Sequence, residues 1–290
     1  MITPNPVSGR NTTRARPIRV LLPVDLSTAS DAALQLTANV GWPAGSSIVA
    51  LTAVDALPRV AGERVSVVPV DTDAVVRRFR DAAKRDRREA PRVRRILREG
   101  SPARVIVDAA RRLRAMLIVV GSGRRGPLET AVLGSVAATV AGRSDRPVLV
   151  ARRDDVRRIL LADDGSCCAG DAADWLLRSP LASDRELRVI SVARAAPGAE
   201  ASEPGRLRAE RVVRDRQLRL AEVGIEAEGV VCAGDPARTI LDAAAGWADL
   251  IVVGCWGRTG LRRLLLGSVA RTVMTSAQCS VLVVKEASCC

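Results

Sequence analysis

The chain repeats itself, and that duplication limits its possible folds more than any single residue does. Arg19–Ser27 (RVLLPVDLS) corresponds to Arg158–Ser166 (RILLADDGS), with Asp25 opposite Asp164. Gly100–Arg104 (GSPAR) returns as Gly234–Arg238 (GDPAR), and Asp108–Ala110 as Asp242–Ala244. Leu133–Ala137 (LGSVA) returns unchanged as Leu266–Ala270, and Val148–Val150 as Val281–Val283. From the Gly-x-Pro match onward the offset stays at about 133 residues. At 290 residues the chain accommodates two domains of about 140. They are expected at 17–151 and 156–285, divided in the charged stretch Arg152–Asp155. Residues 1–16 read as a disordered arm with no signal peptide, and 286–290 as a tail.

Each half alternates short apolar runs with amphipathic stretches. In the second half, strands are expected at Arg158–Ala162, Leu187–Val192, Glu226–Val231, Leu250–Val253 and Val281–Val284. Helices fall near Gly170–Leu177, Gly205–Glu222, Pro236–Trp247 and Ser268–Ser276, with Ala195–Gly205 as a loop. The last two strands are apolar without alternation, as when both faces of a parallel sheet are covered. Regular β-α alternation implies right-handed crossovers. The expected fold is therefore α/β, with two tandem, doubly wound, five-stranded parallel sheets. Apolar residues make up 48% of the chain, enough for two cores. Its longest apolar runs, such as Met116–Val120, fall far short of the roughly 20 residues of a membrane span. The expectation is a cytoplasmic protein without membrane association.

Composition removes several chemistries. The chain has no histidine, so a His-dependent triad or histidine metal site cannot form. All seven cysteines (Cys167, Cys168, Cys232, Cys255, Cys279, Cys289 and Cys290) lie in the second half and none makes a Cys-x-x-Cys pair. Reduced thiols are expected, and neither catalytic residues nor a metal site is assigned. Net charge is +13, nearly all from Arg, since Lys84 and Lys285 are the only lysines. The basic run Arg77–Arg98 reads as spread around a helix, with Phe79 its only aromatic, so it offers no platform for stacking bases.

One motif carries chemistry. Ile251–Arg258 (IVVGCWGR) leads into Leu266-Gly267-Ser268-Val269, which spaces the glycines Gly254-x2-Gly257-x9-Gly267. A chain leaving a strand to wrap phosphates needs residues without Cβ. The following helix then aims its free N–H groups and positive dipole end at the anion. Ser268 adds a hydroxyl and Arg258 a charge.

This Gly-x2-Gly-x9-Gly-Ser pattern after an apolar strand resembles the ATP-binding signature of universal stress proteins. An Asp-Gly-Ser after the first strand, Gly-Asp-Pro before the third helix and the Ala248–Gly254 strand agree with it. The resemblance covers nearly the whole chain outside the arm and tail. It implies a Rossmann-like fold and an ATP ligand, with Mg as companion ion. It places Ala162 and Asp164 at the adenine and ribose end of the cleft. Gly254, Gly257 and Arg258 would line the phosphate loop, with Gly267, Ser268 and Val269 at the helix start. Asp164 also suits a simple turn or helix cap, Trp256 suits packing over the cleft mouth, and Cys167 and Cys168 suit packing at a helix start.

The first half keeps Asp25, Gly121, Gly134 and Ser135, but Arg124 stands where Gly257 stands and Leu26 where Gly165 does. A weakened or empty first site is expected. The resemblance further implies pairing of the halves through their last strands, Pro147–Ala151 and Ser280–Val284, as a pseudo-dimer with further dimerisation open. Function then reads as nucleotide-dependent regulation in stress response, not catalysis. Two alternatives stay open. One is an enzyme of the same cleft, by slow ATP hydrolysis or adenylyl transfer, although no Ser-Gly-Gly loop or histidine pair is present. The other, ranked last, is a basic nucleic-acid-binding module, which salt-dependent DNA retention would reveal.

Overall fold

The apolar runs become the inner strands of one sheet. The computed structural model describes residues 16–25, 27–54, 72–85, 89–123, 133–196, 198–256 and 266–285. The first half runs β1 (Arg19–Pro23), α1 (Thr28–Asn39), β2 (Ser47–Val54), α2 (Thr72–Arg85), β3 (Arg92–Glu99), α3 (Pro102–Arg112), β4 (Leu117–Gly121), α4 (Ser135–Arg143) and β5 (Val148–Ala151). The second half runs β6 (Arg158–Ala162), α5 (Cys167–Arg178), a 3-10 turn at Pro180–Ala182, β7 (Glu186–Arg194), α6 (Glu203–Glu222), β8 (Ala227–Gly234), α7 (Pro236–Ala244), β9 (Leu250–Gly254), α8 (Ser268–Ser276) and β10 (Ser280–Val284).

Each half is a parallel sheet of five strands, ordered β3-β2-β1-β4-β5 and β8-β7-β6-β9-β10. The order reverses at the first strand, so a crevice opens at the carboxyl ends of β1 and β4, and again at β6 and β9. The last strands join the halves: β5 and β10 pair antiparallel, with Val150 opposite Val281 and Val148 opposite Val283. A single ten-stranded sheet results.

Helices cover both faces, which explains the unbroken apolar strands. Leu250 and Val252 of β9 enter one core cluster, while Ile251 and Val253 enter the other. Val20 and Leu22 of β1 face the first cluster and Leu21 the second. Each such buried side chain stabilises the fold by about 1.5–3 kcal/mol over an exposed one.

Several boundaries move for local reasons. Ser166 caps α5 by accepting a hydrogen bond from the Ala169 N–H, so that helix starts at Cys167, ahead of Gly170. Ser202 caps α6 in the same way from Gly205, and Pro204 fits the first turn, which shortens the expected loop. α7 stops at Ala244, before the left-handed Gly246. The Arg77–Arg98 run is not one helix: α2 ends at Arg85 and β3 starts at Arg92. As an outer strand rich in arginine, β3 is ill-suited to edge-to-edge pairing. Phe79 belongs to the core at 1% exposure. Among the described residues, no helix is long and apolar enough to cross a membrane.

Candidate functional site

Three chain segments converge at the carboxyl end of the second half. The first leaves β6 through a double turn. Asp163 Oδ1 accepts from the Gly165 N–H at 2.8 Å and Asp164 Oδ1 from the Ser166 N–H at 3.0 Å. Gly165 takes φ +73°, where a β-carbon would also meet Val212 at 2.7 Å, so glycine is required twice over. Ala162 is half-buried at the strand end, and Asp164 serves as a turn-forming residue.

The second segment is the end of β9. A β-carbon on Gly254 would lie 2.6 Å from the carbonyl carbon and oxygen of Cys168. Gly121 meets the Ala29 backbone of α1 in the same way. At both positions the close approach leaves no room for a β-carbon. Their glycines are demanded by helix–strand packing inside each half, whether or not a phosphate approaches. Ser166 Oγ donates to the Trp256 carbonyl at 3.4 Å and so links the β6 turn to the β9 turn.

The third segment is the start of α8. The Gly267 N–H donates to the Cys255 carbonyl at 2.9 Å and pins the helix start beside the strand end. Gly267 sits at the N-cap and no side chain caps α8, whereas Ser166, Ser202 and Asp235 cap α5, α6 and α7. Among the described residues, then, no capping side chain accepts from the first N–H groups of α8. Ser268 at their head is exposed and Val269 is half-buried. Gly257 and Arg258 lie outside the described residues.

The first half keeps the same frame. Asp25 Oδ1 accepts from both the Ser27 N–H, at 3.0 Å, and the Ser27 hydroxyl, at 2.6 Å. The Gly134 N–H donates to the Ser122 carbonyl, and α4 also lacks a side-chain cap, with Ser135 exposed. Arg124 and Leu26 lie outside the described residues. A hollow of about 430 Å³ opens nearby, lined by Thr28, Asp31, Gln35, Arg78, Ser122 and Arg153 among others. None of Asp25, Gly121, Gly134 and Ser135 lines it.

Sequence reasoning missed one buried charge pair. Asp163, 3% exposed, accepts from Arg216 Nε of α6 at 2.8 Å, and the Arg216 Nη1 lies 4.0 Å from Asp174. The repeat carried the signal, because Asp163 stands where the first half has Val24. The pair ties the β6 turn to α6.

Two further cations cross the seam between halves. Arg152, just after β5, donates to the Met274 and Cys279 carbonyls behind α8. Lys285, just after β10, donates to the Gly142 carbonyl of α4 at 3.0 Å. Each cation therefore neutralises the carboxyl end of a helix in the other half. Burial lowers Arg152 to about 10, against a pull upward from Cys279, and lowers Lys285 as well. Burial also raises the Cys279 thiol to about 11, partly offset by Arg152. Among the described residues no group of three or more acidic or cysteine side chains forms a metal site.

The comparisons with known proteins agree with this architecture. The sequence model of the Universal stress protein family matches residues 18–152 and again 155–285. Universal stress protein Rv2005c of Mycobacterium tuberculosis is 32% identical over 188 residues, which cover 59% of this chain; the chain spans 62% of that relative's length. Universal stress protein MJ0531 of Methanocaldococcus jannaschii is 35% identical over 140 residues, covering 45% of this chain and 82% of that one. A universal stress protein structure from Archaeoglobus fulgidus superposes with a TM-score of 0.64 at 24% identity, over 92% of this chain and 98% of that one. A Pseudomonas aeruginosa structure does so at 0.63 and 21% identity, over 93% and 94%.

Proposed function

The chain belongs to the universal stress protein family, and from that premise we propose that its second half binds ATP and that occupancy regulates conformation or assembly. The observation that carries the reading is the uncapped start of α8. Gly267 and the exposed Ser268 stand at the carboxyl end of β9, following the Gly254-x2-Gly257 spacing. A helix start without a side-chain acceptor is suited to bind phosphate oxygens. Ala162 and Asp164 would face the adenine and ribose across the crevice, and Gly257 and Arg258 would line the phosphates. Magnesium fits such a ligand as a phosphate-borne ion, since Mg²⁺ is commonly held by substrate phosphates and water with one or two carboxylates. The first-half residues Asp25, Gly121, Gly134 and Ser135 would form a weaker or empty counterpart. The role proposed is non-enzymatic regulation in stress response by a pseudo-dimeric chain, with assembly into homodimers as one readable output.

Equilibrium dialysis with labelled ATP tests this reading on the intact chain and on Gly257→Arg. That substitution gives the second half the residue that Arg124 supplies in the first. Retention by the parent and its loss in the variant are expected. Equal retention by both would move the nucleotide away from this loop.

A further inference from the structure

Two thiols meet where α5 begins and β9 ends. Cys168 is the second residue of α5 and Cys255 directly follows β9. Their Sγ atoms lie 3.8 Å apart, and neither is in a disulfide. The backbones behind them are also close, because a β-carbon on Gly254 would lie 2.6 Å from the Cys168 carbonyl group. Cys255 is 5% exposed and Cys168 half-buried, so a small reagent meets Cys168 first. The repeat shows that sulfur is not needed for packing here. Ala29 and Ser122 occupy the corresponding places in the first half, within the same backbone approach.

We propose that Cys168 and Cys255 form a redox-responsive dithiol that a hydroperoxide converts into a disulfide across the base of the candidate cleft. The proposal goes beyond the nucleotide reading and requires no nucleotide. Cys168 sulfur attacks the outer peroxide oxygen, the O–O bond breaks, and an alcohol (water, for hydrogen peroxide) leaves with a proton, giving a sulfenic acid. Cys255 sulfur then attacks the Cys168 sulfur and displaces the hydroxyl, which departs as water with the Cys255 proton. Two thiols lose two electrons and the peroxide gains them. The sulfurs need only close from 3.8 Å to a bond of about 2.05 Å, between backbones already in contact. The bond would fix the start of the phosphate loop to the first turn of α5, and a dithiol reductant would reverse it.

The test treats the full chain with hydrogen peroxide, blocks remaining thiols, digests with trypsin and maps peptides without reduction. The expected product joins the peptide ending at Arg178 to the one ending at Arg258 within one chain, and dithiothreitol separates them. Cys167→Ser, next door and exposed, is expected to keep the link, and Cys168→Ser to reduce its yield about tenfold or more. Wild-type chains in which both thiols remain alkylatable, or in which Cys168 proceeds to sulfinic acid without linking, would overturn the proposal. So would a link that persists in Cys168→Ser or one that joins separate chains. The wild-type map decides the matter even where a variant folds poorly.

Discussion

At the scale of single residues, the buried Asp163–Arg216 pair is a demanding commitment in the second half. Both side chains are buried and hydrogen-bonded to each other. Removing one charge strands the other, so Asp163→Ala is expected to cost about 3–5 kcal/mol in denaturant unfolding. Adding Arg216→Met to that variant is expected to recover much of the loss, because neither member of the pair is then left as an unpaired buried charge. Cys279 gives a pH-dependent prediction. Its thiol titrates at about 11 in the folded protein against an ordinary 9.0. Below pH 9 both states hold the proton and the group contributes nothing. Between pH 9 and 11 the unfolded chain ionises while the folded chain does not, so stability falls as pH rises. Relative to Cys279→Ala, wild type is expected to lose up to about 2–3 kcal/mol across that window, measured by unfolding at stepped pH. A constant difference between the two proteins would contradict the burial argument.

At the scale of elements, α8 separates ligand binding from folding. Ser268 is exposed at the first position of the helix. Aspartate there complements the dipole and is expected to leave stability unchanged or raise it by about 0.3–1 kcal/mol. The same charge repels phosphate, so Ser268→Asp is expected to bind ATP poorly while melting no lower than wild type. Much of this element level was legible in the sequence. β6 and β9 read correctly because both their faces are buried, leaving runs no helix period would give. The helices are less legible at their starts, where Ser166 and Ser202 capture backbone N–H groups upstream of the apolar pattern in α5 and α6. Arg77–Arg98 misled because arginine marks an exposed surface equally well on a helix or an edge strand. Spacing makes Gly254 a phosphate-loop glycine, yet its contact with Cys168 comes from an element 86 residues away in sequence. Spacing along the chain does not contain such a contact.

At the scale of the molecule, the duplication explains both the shared frame and the differences laid on it. β5 and β10 pair antiparallel, and Arg152 and Lys285 each reach a helix end in the opposite half. The pairing sets the buried Val148 and Val150 opposite Val283 and Val281, and each half covers the other's last-strand edge. Equilibrium unfolding followed by Trp fluorescence and by far-UV circular dichroism is therefore expected to show one coincident transition, and two separated transitions would deny the seam this role. On the common frame, the second half adds Asp163, Cys168, Cys255 and Gly257 where the first has Val24, Ala29, Ser122 and Arg124. The proposed function puts nucleotide binding in the second half and a weaker or empty counterpart in the first. Calorimetric titration of ATP into the intact chain, into Ser268→Asp and into its first-half counterpart Ser135→Asp tests that assignment most directly. One ATP per chain, lost in Ser268→Asp and kept in Ser135→Asp, is the predicted result. No binding by the intact chain, or binding that only Ser135→Asp removes, would contradict it.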